Sequence, residues 1–139
     1  MESIALAAEL ASVRLARQFV SSGLVERHLD PSVATLLTSE LVGNVVRHAR
    51  TEFTIAMRYN PCIRIEVHDG VAATDAFRDI LARAPVEVPP QSPGGRGLGL
   101  VRALASRFGL GDEPGAWNGK VVWFELDHAD LDANQPVGG

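Results

Sequence analysis

Two stretches of this chain combine residue types and spacing suited to work on a phosphate. The first is Gly94-Gly95-Arg96-Gly97-Leu98-Gly99-Leu100, which ends a Pro-rich loop (Pro89-Pro90-Gln91-Ser92-Pro93) and enters an apolar helical run from Leu98 to Phe108. Backbone without Cβ lets N–H groups approach a phosphate closely, and a helix N-terminus adds partial positive charge. Arg96 could add charge-assisted hydrogen bonds there, or stand as an exposed loop arginine. The spacing is not that of the Walker loop, because no Gly-Lys-Ser/Thr follows, so a metal ligand must come from elsewhere. The second stretch, Glu40-Leu41-Val42-Gly43-Asn44-Val45-Val46-Arg47-His48, offers one. Glu40, Asn44 and His48 fall at i, i+4 and i+8, on one helix stripe beside the apolar stripe of Leu37, Leu41 and Val45. The amide oxygen of Asn44 suits a hard cation such as Mg²⁺, which takes oxygen ligands from protein, phosphate and water. Glu40 suits a group that orients or deprotonates a nucleophile. The same spacing fits a solvated face with a local Glu40–Asn44 hydrogen bond. Asp69 ends an alternating segment, where a carboxylate can accept a hydrogen bond from an exocyclic amine such as that of adenine. As part of Asp69-Gly70 it also fits a plain turn. His48 and His68 have no Cys/His cluster beside them and read as packing or surface residues. Trp117 and Trp123 read as hydrophobic anchors. The chain reads as a nucleotide-binding domain.

The elements that must position these residues follow from periodicity. Ser3 to Leu6 fits a short edge strand. Leu10, Val13, Ala16, Val20 and Leu24 recur at helical spacing between Ala8 and Leu24, with Gly23 placed as a terminator. A second helix opens at Asp30-Pro31, an N-cap followed by proline at the first helical position, and runs to about Ala49. Phe53, Ile55, Met57 and Tyr59, then Ile63, Ile65 and Val67, alternate with polar residues and form a hairpin about Asn60-Pro61. Residues 71 to 96 form a long connection, with a helical stretch from Asp75 to Ala84, whose length suits a lid. A third helix runs from Gly97 to Arg107, a strand lies near 108–110, and the clearest strand is Lys120 to Leu126. The chain from Asp127 to Gly139 reads as a fraying, disordered tail. Strands grouped around a hairpin, with helices on one face, predict an α/β (α+β) two-layer sandwich with a mixed, largely antiparallel sheet in a domain over residues 1–126. The irregular alternation excludes a Rossmann arrangement.

Composition narrows the class. The 139 residues suffice for one domain with its own core. A formal net charge of −4 argues against a general affinity for nucleic acid, which needs a basic face. One cysteine, Cys62, excludes an internal disulfide and suits a reducing cytoplasm. No apolar run approaches the roughly 20 residues of a membrane span.

Taken together, the motifs resemble the GHKL ATPase superfamily of gyrase, heat-shock chaperones, histidine kinases and mismatch-repair ATPases. Within it the chain is most similar to the small bacterial anti-sigma-factor serine kinases, especially the actinobacterial stand-alone ATP-binding proteins. Glu40 to Ala49 resembles the N box of that family. Val67-His68-Asp69-Gly70 resembles the box that reads adenine, and Gly95-Arg96-Gly97-Leu98-Gly99-Leu100 the glycine box that ends the ATP lid. Gly119 to Leu126 resembles the closing strand. The resemblance implies a Bergerat fold, with Asn44 as the Mg²⁺ ligand between the ATP phosphates and Glu40 as general base. It implies that Asp69 binds the adenine amine and that Gly95, Gly97 and Gly99, with Arg96 and Leu98 between them, form the phosphate cradle. In many members the aspartate box continues Asp-x-Gly-x-Gly; here it reads Asp69-Gly70-Val71-Ala72-Ala73, without the two later glycines. The function implied is that of a cytoplasmic ATP-dependent serine/threonine protein kinase, which sequesters a sigma factor and phosphorylates an anti-sigma-factor antagonist, with a homodimer as one allowed assembly. The competing reading is a non-catalytic, nucleotide-dependent binding module that sequesters a regulatory partner.

Overall fold

The computed structural model describes residues 1–71, 95–111 and 119–132, with the backbone alone for residues 95–98. The expected lid beyond Val71, the helical stretch 75–84, Trp117 and residues 133–139 lie outside the described residues. The elements are β1 (Glu2–Leu6), α1 (Leu10–Val25), α2 (Ser32–Asn44), β2 (Phe53–Arg58), β3 (Ile63–Asp69), α3 (Gly95–Leu104), β4 (Arg107–Gly111) and β5 (Lys120–Leu126). The strands form one sheet in the order β1-β2-β3-β5-β4. Each pairing is antiparallel, so the expected mixed sheet is here an antiparallel one.

The two-residue period of the strands decides what the sheet buries. Phe53, Ile55 and Met57 of β2 face the same side as Ile63, Ile65 and Val67 of β3 and Val122, Phe124 and Leu126 of β5. All nine are buried, in one core with Ala16, Val20 and Leu24 of α1, Leu37, Leu41 and Val42 of α2 and Val101 of α3. Each large aliphatic or aromatic side chain removed from water there stabilises the fold by roughly 1.5–3 kcal/mol. The helices therefore lie on one face, as the sequence predicts. The other face carries Arg58, Arg64, Glu66, His68, Trp123 and Glu125. There Arg64 bonds Glu66 at 2.7 Å and Glu125 at 3.1 Å, and its guanidinium stacks over Trp123 at 4.1 Å from the ring centroid.

The start of α2 lies one residue later than the sequence predicts: Pro31, not Asp30, holds the cap position and Ser32 is the first helical residue. Asp30 Oδ1 accepts from the Ser32 N–H at 2.9 Å and from its hydroxyl at 2.6 Å. The Ser32 hydroxyl, then its N–H, hold the Asp30 carboxyl below its ordinary range.

Four further expectations need correction. Leu10, placed on the apolar stripe of α1, is 80% exposed, because the buried face of α1 runs through Ser12, Ala16, Val20 and Leu24 and Leu10 lies to the side of it. Gly23 does not terminate α1: it is buried inside the last turn, where an added Cβ would lie 2.1 Å from the Tyr59 hydroxyl. Its role is to admit Tyr59. The second helix does not continue as an α-helix to Ala49. It widens to a π-turn over Val45–Ala49, closed by a 2.8 Å bond from the Arg50 N–H to the Val45 carbonyl, with Arg50 left-handed at φ 54°. Residues 127–132, expected in the fraying tail, are built into the fold. His128–Leu131 form a 3₁₀ turn, Leu131 is buried in the core, and the Asp30 N–H donates to the Leu131 carbonyl at 2.7 Å.

Candidate functional site

Asp69 occupies the last position of β3, the middle strand of the sheet. Strand alternation puts it on the same side as Ile63, Ile65 and Val67, facing the helix layer. The carboxylate is only 2% exposed. Its register partner on β5 is Lys120, which by the same alternation shares the inward side with Val122 and Phe124. The ammonium Nζ sits 2.8 Å from Asp69 Oδ2 and 3.1 Å from Oδ1, and also donates to the Val71 carbonyl at 3.3 Å. The Val71 N–H donates to Oδ1 at 2.8 Å, and the Gly70 N–H donates to the Thr51 hydroxyl at 2.9 Å. Gly119 lets β5 come this close: a Cβ there would lie 1.8 Å from the Asp69 carbonyl oxygen. The result is a buried, ionised acceptor held at a fixed angle by one cation and one backbone amide.

Lys120 and Thr51 were not singled out from the sequence. A signal for Lys120 exists, since residues 120, 122, 124 and 126 share one face and an ammonium on a buried face needs a counter-charge. Nothing local marks Thr51; only the approach of β2 to the turn after β3 brings it to Gly70.

Asn44 is the last residue of α2, half-buried, with Glu40 one turn earlier and also half-buried. The local Glu40–Asn44 hydrogen bond does not form. Asn44 Oδ1 instead accepts from Arg47 Nη2 at 3.0 Å. Among the described residues Glu40 has no hydrogen bond or ion pair. His48, the third member of the expected stripe, is exposed on the π-turn, whose wider i→i+5 winding carries it off the line through Glu40 and Asn44.

The glycine box opens α3 two residues earlier than predicted. Gly95, Arg96 and Gly97 thus occupy the first turn, where backbone N–H groups have no acceptor within the helix. The side chains of Arg96 and Leu98 lie outside the described residues. Gly99 follows, and a Cβ built on it would meet nothing within 4 Å among the described residues. The helix α2 packs against both α3 and β3. One packed unit thereby carries an acceptor at the end of the middle strand, an amide oxygen at the end of α2 and, at the start of α3, N–H groups that the helix itself does not satisfy. Such an arrangement can receive an amine at one end of a ligand and phosphate oxygens at the other.

No helix of the described residues is long and apolar enough to cross a membrane. Nor do three His, Cys, Asp or Glu side chains gather into a metal cage among them.

An antiparallel sheet with helices on one face and an inward acceptor at the end of its middle strand places the molecule among two-layer α+β nucleotide-binding domains. More closely, the chain belongs to the histidine kinase-like ATPase domain family, whose profile matches residues 6–125. It is thus an ATP-binding domain of the GHKL type. A comparison with curated proteins gives no match.

Proposed function

We propose that this protein is a cytoplasmic, ATP-dependent serine/threonine protein kinase that acts as an anti-sigma factor, holding a sigma factor and phosphorylating an antagonist protein. The observation that carries the nucleotide part is Asp69, a carboxylate buried on the helix side of the sheet with its charge met by Lys120. Burial of this kind is costly unless the charge is paired, which Lys120 does, and an acceptor fixed there suits the adenine amine. The kinase and sigma-factor parts rest on the ordered resemblance of the four motifs.

In this reading the first turn of α3, through the backbone of Gly95, Arg96, Gly97, Leu98 and Gly99, receives the phosphates. Asn44 supplies the oxygen for Mg²⁺. An amide oxygen suits that ion, because Mg²⁺ takes hard oxygen donors, keeps most of its shell as water and phosphate oxygen and needs few protein ligands. When bound, the cation neutralises phosphate charge. Glu40 takes the proton from a partner's Ser or Thr hydroxyl as its oxygen attacks the γ-phosphorus; the bond from that phosphorus to the bridging oxygen breaks and ADP leaves.

A second reading, the non-catalytic binding module, draws on one observation. The Val71 N–H is bonded to Asp69 Oδ1 and the Val71 carbonyl to Lys120, so the turn that opens the 71–96 connection is tied down where many relatives carry glycine. Calorimetric titration with ATP and a non-hydrolysable analogue, with and without Mg²⁺, tests the nucleotide part. A radiolabelled-phosphate assay against candidate antagonist proteins tests the kinase. Binding without transfer to any of them selects the second reading; absence of binding removes both.

A further inference from the structure

We propose that Thr51 is a positioning residue for the nucleotide base, tying the end of the second helix to the turn that carries Asp69. This rests on the reading of Asp69 as the acceptor for the adenine amine. An acceptor selects an amine sharply only when its oxygens are held in one direction. The Asp69 carboxylate is aimed partly by its own turn, since Oδ1 accepts from the Val71 N–H at 2.8 Å. That bond directs the carboxylate only as well as the peptides on either side of Gly70 are themselves fixed. Gly70 is exposed and has no side chain to fix them. Thr51 supplies the restraint, because its hydroxyl accepts from the Gly70 N–H at 2.9 Å. The contact is steric as well: a Cβ on Gly70 would stand 3.3 Å from Cβ, Cγ2 and Oγ1 of Thr51.

What flanks Thr51 explains why it sits there. The π-turn Val45–Ala49 closes with Arg50 in the left-handed region, at φ 54°, and Thr51 comes next. Two residues later Phe53 opens β2, and its register partner on β3 is Asp69. The chain between the π-turn and β2 therefore runs past the turn after β3, and Thr51 stands at that crossing. Lys120 meets the charge of Asp69 from the β5 side, 2.8 Å from Oδ2. Thr51 holds the backbone of the same turn from the β2 side, with no charge of its own. Removing its hydroxyl thus alters the direction of the acceptor and leaves its ion pair in place.

The test measures, calorimetrically and with the full chain, affinities for ATP and for inosine triphosphate, which carries a carbonyl where adenine has its amine. It compares the parent with Thr51→Val, Thr51→Ser and Asp69→Asn. Val keeps the shape of Thr and removes the acceptor, whereas Ser keeps the acceptor. The parent should prefer ATP. Thr51→Val should lower the ratio of the two affinities by roughly three- to tenfold, the worth of one neutral hydrogen bond. Thr51→Ser should keep the ratio within about twofold of the parent's. Urea midpoints should barely move in Thr51→Val, because the exposed Gly70 N–H can turn to water. An unchanged ratio in Thr51→Val overturns the proposal. So does an equal fall in Thr51→Val and Thr51→Ser, which would make Thr51 a packing residue. If the parent shows no preference for ATP, or Asp69→Asn retains it, the reading of Asp69 fails first and the proposal with it. If Asp69→Asn abolishes the preference and Thr51→Val does not, the reading of Asp69 stands and the proposal alone fails.

Discussion

Replacing Lys120 by Met is the sharpest perturbation of the acceptor corner. Met keeps most of the apolar stem and removes the ammonium. In the parent that ammonium lies 2.8 Å from Asp69 Oδ2 and 3.1 Å from Oδ1, with side chains 11% and 2% exposed. Without it, Oδ1 keeps the Val71 N–H at 2.8 Å, while Oδ2 has no partner among the described residues. An exposed ion pair would matter little, about 0–1 kcal/mol. This pair is desolvated, and removing one partner of a buried pair costs about 3–5 kcal/mol, because the other charge stays behind uncompensated. For a chain of this size that lowers Tm by roughly 10–20 °C. Urea unfolding without nucleotide, by linear extrapolation, reads the difference. Adding Asp69→Asn in the Lys120→Met background removes the stranded charge and should recover more than half of the loss, with a coupling of about 2 kcal/mol or more. A Lys120→Met protein within about 1 kcal/mol of the parent would refute the reasoning, as would a double variant no more stable than Lys120→Met.

Other consequences can be measured independently. Asn44→Ala should weaken Mg-ATP binding and Asp69→Asn should weaken discrimination for adenine, each by roughly ten- to a hundredfold by titration, as loss of a charge-linked hydrogen bond implies. Glu40→Ala should keep ATP affinity within a few-fold while lowering phosphate transfer to a partner by roughly 10²–10⁴-fold, since a general base acts on the transition state. Gly119→Ala should destabilise by about 3 kcal/mol or more in urea unfolding, because the new Cβ overlaps the Asp69 carbonyl and must part β5 from β3. Acid should weaken the outer face of the sheet. Burial alone would push the Glu66 carboxyl up, but hydrogen bonds from Arg64 and His68 outweigh it and hold it below the ordinary 4.5. The Arg107 bond, opposed by burial and helped by Arg64, does the same for Glu125. A depressed folded-state value contributes stability above the ordinary one and loses it as pH falls through the depressed one. Unfolding midpoints should therefore drop below about pH 4.5, and less steeply in Glu125→Gln.

Much of this protein was legible in the chain itself. Strand alternation specifies which residues of 53–58, 63–69 and 120–126 go inward, because the side-chain period of a strand is two and a one-residue slip would expose Ile65, Val67 and Phe124 together. The start of α2 was legible to within one residue, since a helix start depends on residues within one turn. Sequence order alone also set Glu40 before Asn44, and Asp69 before the glycine box. What the sequence could not decide depends on contacts between distant residues. Gly23 looks like a terminator until Tyr59 is seen to need its space. Leu131 reads as tail until it fills the core and anchors Asp30. The turn from α to π winding after Asn44 has no mark in Val45-Val46-Arg47-His48. The pairing of Asp69 with Lys120, 51 positions apart, exists only because β5 returns beside β3, and that neighbour turns an ordinary turn aspartate into a buried, charge-compensated acceptor.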